Sequence, residues 1–327
     1  MDKRTQIGIT FSLAALLLCL FLLSDLKNPS RQPGQRQVYT FTTMGTVAGF
    51  TFYTDKQSAL KANQLAQAQF DRILHTANLY HKNSELSRLN ASAFDRDFVC
   101  SPLLWQMLQE ARFAWQFSGG AFDITVKPLM DLWGFYRKKN TIPSPEEIAQ
   151  VKKKIGFDKL ILNEKKQTIR FSVPGMALDL GGIAKGFALD LAAAQVPGKI
   201  SYGLLDLGGN LKFLSAPPPG KKAYHVGIKD PGDPENFTGE IMKVLPDFSV
   251  STSGDYERYR VYNGIRYGHI MDPQQGFPPV QNHAVTVSCR QAMRADWLST
   301  AIFLRGEKLA AKARKEIPDC QVIIVKK

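Results

Sequence analysis

Chemistry in this chain first becomes conceivable at Leu178 to Asp190, LDLGGIAKGFALD. An apolar run from Met176 to Leu180 stops at Gly181 and Gly182, and an alanine-rich helical pattern follows at once, which predicts a strand, a tight turn and a helix N-terminus. Paired glycines allow dihedrals that a Cβ forbids and let the backbone approach a ligand closely. First-turn N–H groups lack intrahelical partners and attract anions. Lys185 adds a full positive charge and Asp179 a carboxylate, so the turn offers a place for phosphate and for a metal ion. Neither familiar phosphate signature fits. Gly181 and Gly186 have P-loop spacing, but Phe187 stands where the lysine belongs, and G-x-G-x-x-G fails at its second glycine. Taken alone, such a turn is more often a plain chain reversal.

Four further groups have useful types or spacing. The tetrapeptide Asp179-Leu180-Gly181-Gly182 recurs as Asp206-Leu207-Gly208-Gly209, after the strand-like run Tyr202 to Leu205, so two acid-plus-glycine strand ends would share one βαβ-like unit. VSTSGD, Val250 to Asp255, is a hydroxyl-rich turn after a strand, and turn chemistry alone would explain it. RYGHIMDPQQG carries His269 and Asp272 just before a proline turn; a lone histidine is usually structural. In QAMRADWLSTAIFL, Asp296 and Thr300 are four apart and share one helix face. An acid and a hydroxyl on otherwise apolar turns suit Mg²⁺ or Ca²⁺, the alternative being a hydrogen bond of Thr300 within its own helix.

The elements that must position these groups follow from periodicity. Val38 to Tyr53 is one or two strands interrupted at Met44, Gly45 and Thr46, and Ser58 to Ala77 is a helix on the spacing of Leu60, Leu65, Phe70 and Leu74. Tyr80 falls in a polar loop before a short helix that starts around Ser84 and runs to Leu89. Pro102 to Ser118 is a helix ended by Gly119 and Gly120. AFDITVKPLMDLWGF begins as a strand, with Asp123 an unusual carboxylate between Phe122 and Ile124. Pro143 to Ile155 is a polar surface helix, Leu160 to Leu162 and Thr168 to Val173 form a hairpin, and the strand Ala284 to Ser288 leads into a helix from Gln291 to Leu304.

Composition sets the outer limits. A chain of 327 residues with 44% hydrophobic content can bury a sizeable core in one large domain or two. Its formal charge of +13 is carried in short separated groups such as Arg137 to Lys139 and Lys152 to Lys154. That pattern fits solvated faces and not a nucleic-acid footprint. Ile7 to Leu23 is almost uniformly apolar behind Lys3 and Arg4, with no small-x-small cleavage site between Leu22 and Gln37, which predicts an uncleaved signal anchor at 1–27. Cys19 follows three leucines, so a lipobox is absent, and 28–37 is a polar Pro/Gly linker. Four cysteines are too few for a disulfide framework; Cys289 with Cys320 is the conceivable pair in an exported domain.

Taken in order, MGT at Met44, YHKNSELSRLN from Tyr80, AFDIT from Ala121, DLGGIAKG from Asp179, the DLGGN echo, STSGDYERY from Ser251, HIMDPQQG from His269 and AMRADWLST from Ala292 resemble the ApbE family of flavin transferases. The resemblance covers 38–327. It implies an α+β, T-fold-like architecture of two subdomains, with mixed sheets, flanking helices and a central FAD cleft, behind one N-terminal membrane helix. It also implies an enzyme of the inner (cytoplasmic) membrane, facing the periplasm or cell exterior, that uses Mg²⁺ to transfer FMN from FAD to a Thr or Ser of an exported protein. Carried over by residue, Met44, Tyr80, Ala121, Phe122, Asp123, Asp179, Lys185 and Ile270 would contact FAD. Gly182 through its carbonyl, Asp296 and Thr300 would hold Mg²⁺. His269, oriented by Asp272, would take the acceptor's proton. The alternatives are an FAD pyrophosphatase and a non-catalytic FAD carrier; no nucleic-acid partner is implied.

Overall fold

The computed structural model describes residues 34–136, 141–200, 202–217, 220–233, 235–254, 259–262, 264–280 and 283–326. The anchor expected at 1–27, most of the linker and the basic group Arg137 to Lys139 lie outside the described residues. Among the described residues, no helix is long and apolar enough to cross a membrane.

In chain order the elements are β1 (Arg36–Thr43), β2 (Thr46–Tyr53), α1 (Lys56–Ala77), α2 (Glu85–Ser92), β3 (Phe98–Val99), α3 (Pro102–Ser118), α4 (Lys127–Leu132), α5 (Pro145–Lys152), β4 (Leu160–Asn163), β5 (Thr168–Phe171) and α6 (Gly181–Gln195). Then follow β6 (Gly203–Leu207), β7 (Asn210–Phe213), β8 (Tyr224–Lys229), β9 (Phe237–Val244), β10 (Ser249–Ser253), β11 (Tyr259–Tyr262), β12 (Ile265–Gly268), β13 (His283–Cys289), α7 (Ala292–Arg305), α8 (Glu307–Glu316) and β14 (Gln321–Lys326). A seven-stranded sheet runs β1-β2-β6-β7-β10-β13-β14, and every neighbouring pair in it is antiparallel. The three small sheets β3-β5-β4, β8-β9 and β11-β12 are antiparallel too. The expected mixed sheets are therefore corrected to antiparallel ones.

Local signals account for most boundaries. The β1–β2 hairpin turns on Met44 (φ 49°) and Gly45 (φ 72°), the pair of positive φ values that a type I′ turn demands. Ser84 caps α2, and α3 stops at Gly119 in the left-handed region (φ 62°).

Four expectations fail for identifiable reasons. Met176 to Leu180 is not a strand: the side-chain amide of Asn90 takes both peptide groups of Leu178, at 2.7 and 3.0 Å, where a neighbouring strand would bond. No βαβ unit forms, and the second DLGG is the hairpin turn between β6 and β7. AFDIT is likewise not a strand, because the Asp123 side chain caps a 3-10 turn at Ile124–Val126 that leads into α4. VSTS, in turn, is the strand β10 and not a turn.

Alternation along the strands sorts the core onto two faces of the large sheet. Ala48, Phe50, Phe52, Leu205, Leu207, Val285 and Val287 are buried on one face with α1, α6 and α7. Leu204, Phe213 and Val250 are buried on the other, against Tyr224 and Met242 of the β8–β9 hairpin. Each such large side chain contributes roughly 1.5–3 kcal/mol by leaving water. A disulfide joins Cys289, at the end of β13, to Cys320, just before β14.

Gly186 sets how closely α6 and α7 approach. A Cβ there would lie 2.2 Å from the carbonyl oxygen of Ala292. In an unencumbered helix Gly→Ala stabilises by about 1 kcal/mol. Gly186→Ala is expected to do the reverse, lowering stability by about 2 kcal/mol through overpacking, as measured by chemical denaturation.

Candidate active site

Asp296 is the point at which the two long-range halves of the site meet. Its side chain is only 5% exposed, on the inward face of α7. Oδ2 accepts the Gly186 N–H at 2.9 Å, and Oδ1 accepts the Asn210 side-chain amide at 2.9 Å. In a regular helix the Gly186 N–H belongs to the carbonyl of Gly182, four residues back. The carboxylate of α7 therefore competes with the Gly182 oxygen for that amide. Thr300, one turn on, places its Oγ1 3.2 Å from Ser253 Oγ and 3.4 Å from the Asp296 carbonyl. The helix-internal bond of Thr300 thus exists, but it is the longer of the two.

The glycines at the start of α6 serve packing more than unusual dihedrals, since neither Gly181 nor Gly182 has a positive φ. A Cβ on Gly182 would come 3.0 Å from the Phe122 ring, and one on Gly181 3.0 Å from Asp179 Oδ1. Leu180, at the cap position, supplies no side-chain bond. The Asp179 carboxylate replaces it from just outside the helix, accepting the Gly181 N–H at 2.7 Å and the hydroxyl of Tyr136. Burial and the adjacent Asp179 charge hold the Tyr136 hydroxyl protonated, well above its usual range. Tyr80, 73% exposed, meets the Tyr136 ring edge-on with centroids 6.0 Å apart. Tyr80, Tyr136 and Asp179 form a continuous line to the helix start, with an open aromatic surface at its outer end.

Lys185 makes no ion pair with a described carboxylate, although its charge acts on Asp206. Burial is the larger influence there and pushes the Asp206 carboxyl up to about 6, against the Gly209 N–H bond and then Lys185, which pull it down. The β1–β2 hairpin closes over this turn: Gly208 N–H donates to the Val47 carbonyl, and a Cβ on Gly208 would meet Thr46 at 2.5 Å. Met44, at the tip of that hairpin, is half-buried.

Other expected residues have different tasks. Asp123 is 8% exposed, and its carboxylate is occupied within the protein by the N–H and hydroxyl of Thr125 and the N–H of Phe157, at 2.8, 2.6 and 3.0 Å. Burial raises its pKa above the usual carboxylate range despite those bonds. It braces the AFDIT segment and does not present a carboxylate to a ligand. Ala121, Phe122 and Ile270 are buried in the main core, with the Phe122 ring 6.2 Å from Trp297. His269 is half-buried just after β12. Asp272, expected to orient it, instead binds Arg305 at 2.7 Å and the N–H groups of Gln274 and Gln275 at 2.8 and 3.1 Å. Its role is to fix the turn following His269. That turn is tied to α3 by Gln274, whose amide donates to the Gly119 carbonyl at 2.8 Å.

Tyr136 and Asn210 were not singled out from sequence, and Gly186 was noted only for its P-loop spacing with Gly181. Asn210 closes the DLGGN echo and Gly186 closes DLGGIAKG, so both stood inside recognised motifs; Tyr136 carried no signal beyond an aromatic run. A separate cleft of 450 Å³ is lined by Trp133, Ile142, Ile148, Tyr267, Phe277, Pro278 and Val280. Its lining among the described residues carries no charged group with which to hold a diphosphate.

The model of the ApbE family matches residues 44–324. The chain belongs to the ApbE family. This ApbE protein is 32% identical over 331 residues to an FAD:protein FMN transferase of Klebsiella pneumoniae, covering 97% of this chain and 93% of that one. It is 29% identical over 319 residues to an FAD:protein FMN transferase of Vibrio cholerae, covering 94% and 92%. Its fold matches the flavin transferase ApbE from Vibrio cholerae with a TM-score of 0.79 at 26% identity, covering 90% of this chain and 94% of that one. It matches the ApbE protein of Thermotoga maritima with a TM-score of 0.81 at 28% identity, covering 89% and 94%.

Because Asp206 ionises near 3.8 when unfolded but near 6 when folded, the folded state holds the proton more tightly. Stability should then fall as pH rises from about 4 to about 6 and stay lowered above that. Asp206→Asn keeps the oxygen that accepts the Gly209 N–H. It is expected to flatten this fall and to leave the ligand-free protein more stable at neutral pH, as read from denaturation series across that range.

Proposed function

We propose that this chain is an FAD:protein FMN transferase, moving FMN from FAD to a Thr or Ser hydroxyl of an exported protein and releasing AMP. The observation that carries this reading is the convergence of α6 and α7 on one carboxylate, beside a lysine that makes no ion pair among the described residues and an aromatic line ending at Tyr80. Family membership and transferase relatives along nearly the whole chain support the same activity.

In this reaction an acceptor oxygen forms a bond to the FMN phosphorus, the bridging P–O bond breaks, and AMP leaves with the bridging oxygen. Little covalent work falls to the protein, so catalysis is mainly positioning and charge neutralisation. Lys185 stands ready to bind a diphosphate oxygen. The exposed Tyr80 ring offers a face for a planar ring of FAD, and Tyr136 holds the Asp179 carboxylate against the start of α6. His269 takes the acceptor proton, a contribution typically of 10²- to 10⁴-fold.

The donor set of Asp296, Thr300 and the Gly182 carbonyl fits magnesium. All three are hard oxygens, and the buried Asp296 carboxylate is met by neutral N–H donors, with no ion pair among the described residues. One carboxylate plus substrate phosphates is the ordinary way in which proteins hold this ion. When bound, magnesium would neutralise and orient the diphosphate. Placement in the inner membrane, with the catalytic part outside the cytoplasm, is supported by the apolar stretch Ile7 to Leu23 and by the Cys289–Cys320 bridge, which suits an oxidising compartment.

Incubating the chain with FAD, Mg²⁺ and an exported protein of the same cell should give a fluorescent covalent protein band and stoichiometric AMP. FMN and AMP without a band would indicate a pyrophosphatase, and intact FAD a carrier. His269→Ala is expected to slow single-turnover flavinylation by at least about 100-fold; an unchanged rate would remove His269 as the base.

A further inference from the structure

β10 carries the hydroxyl-rich motif that the functional reading above leaves without a task. Val250 faces the β8–β9 hairpin, so by strand alternation Ser249, Ser251 and Ser253 face α7. All three are buried, at 0%, 2% and 8% exposure. Serine is a poor choice for three successive inward positions unless each hydroxyl has a partner.

Ser249 donates to the Cys289 carbonyl at 2.7 Å, a bond within the sheet. The other two point at the expected cation ligands. The Asp296 carboxylate only accepts, so the Asn210 nitrogen is the end that meets its Oδ1, at 2.9 Å. Asn210 Oδ1 then faces Ser251, whose hydroxyl donates to it at 2.8 Å. The relay from Ser251 through Asn210 holds the carboxylate in one rotamer without adding charge.

Ser253 acts on Thr300 through proton order. With the Ser299 proton on the Asp296 carbonyl at 3.0 Å, Ser253 is the donor in its 2.8 Å contact with Ser299. With that proton committed, Ser253 can only accept in its 3.2 Å contact with Thr300. Thr300 has one hydroxyl proton, which goes to Ser253 or to the Asp296 carbonyl, and either arrangement leaves lone pairs of Thr300 Oγ1 for a ligand.

We propose that Ser251, acting through Asn210, and Ser253 are positioning residues for the cation site, presetting Asp296 as a fixed carboxylate and Thr300 as an acceptor. The proposal rests on the magnesium reading above, and its test separates the two. Mn²⁺ is titrated into the purified full chain in the presence of ADP, free Mn²⁺ is read by electron paramagnetic resonance, and a thermal melt of each variant establishes that it is folded. Asn210→Leu is expected to weaken Mn²⁺ binding by about 10- to 100-fold, as outer-layer partners of metal ligands do. Ser251→Ala and Ser253→Ala should each cost about fivefold, the worth of one buried hydrogen bond. Ser251→Ala should add nothing once Asn210 is leucine, because it acts only through that amide. Wild-type affinity in folded Ser251→Ala and Ser253→Ala, with Asp296→Ala losing the ion, would overturn the proposal and leave the magnesium reading standing. Wild-type affinity in Asp296→Ala would overturn both. Should Asn210→Leu not fold, the two serine variants decide the matter alone.

Discussion

A buried carboxylate must be met by donors or by a cation, and in this protein that requirement ties two helices together. Asp296 of α7 reaches the first turns of α6 and accepts the Gly186 N–H. The contact is possible only because position 186 has no Cβ, the Ala292 carbonyl being already in the way. Small residues around it, Ala184, Ala188, Ala292 and Ala295, are all buried in the same seam. Helix separation and the direction of the carboxylate are thus consequences of one close approach. The antiparallel sheet supports it from below, through Asn210 at the start of β7 and the serines of β10.

Electrostatics gives the same region its character. Carboxylates outnumber lysine here: Asp179, Asp206 and Asp296 stand on or beside the turns that carry Lys185. Asp179 is engaged by a tyrosine hydroxyl and a helix N–H, while burial pushes the Asp206 carboxyl up to about 6. A dinucleotide diphosphate would meet repulsion as well as attraction at such a site, and its binding gains from any cation shared between phosphate and Asp296. Binding of the anion and of the ion would then reinforce each other.

Much of this was legible in the sequence where the signal was local. The caps at Ser84 and Gly119, the helices around Leu65 and Trp297, and the interruption at Met44 and Gly45 all stand where their residues require. The pairing of Gly182 with Asp296 came from family resemblance, since nothing in spacing joins positions over 100 residues apart. What escaped was set by tertiary partners. Asn90 satisfies Leu178 and so abolishes an expected strand, Arg305 draws Asp272 toward the turn after His269, and Phe157 and Thr125 enclose Asp123. Side chains that replace backbone partners leave no periodicity to find. The serines of β10 resembled a turn for a related reason: polar inward positions mask the alternation that marks a strand.

The central claim is that one divalent ion binds where α6 and α7 meet. Anomalous X-ray scattering from crystals of the chain grown with Mn²⁺ and FAD addresses it directly. The account requires a single strong peak in contact with the Gly182 carbonyl, Asp296 and Thr300. A peak at Asp179 or Asp206 with none at Asp296, or ordered FAD with no peak at all, would contradict it.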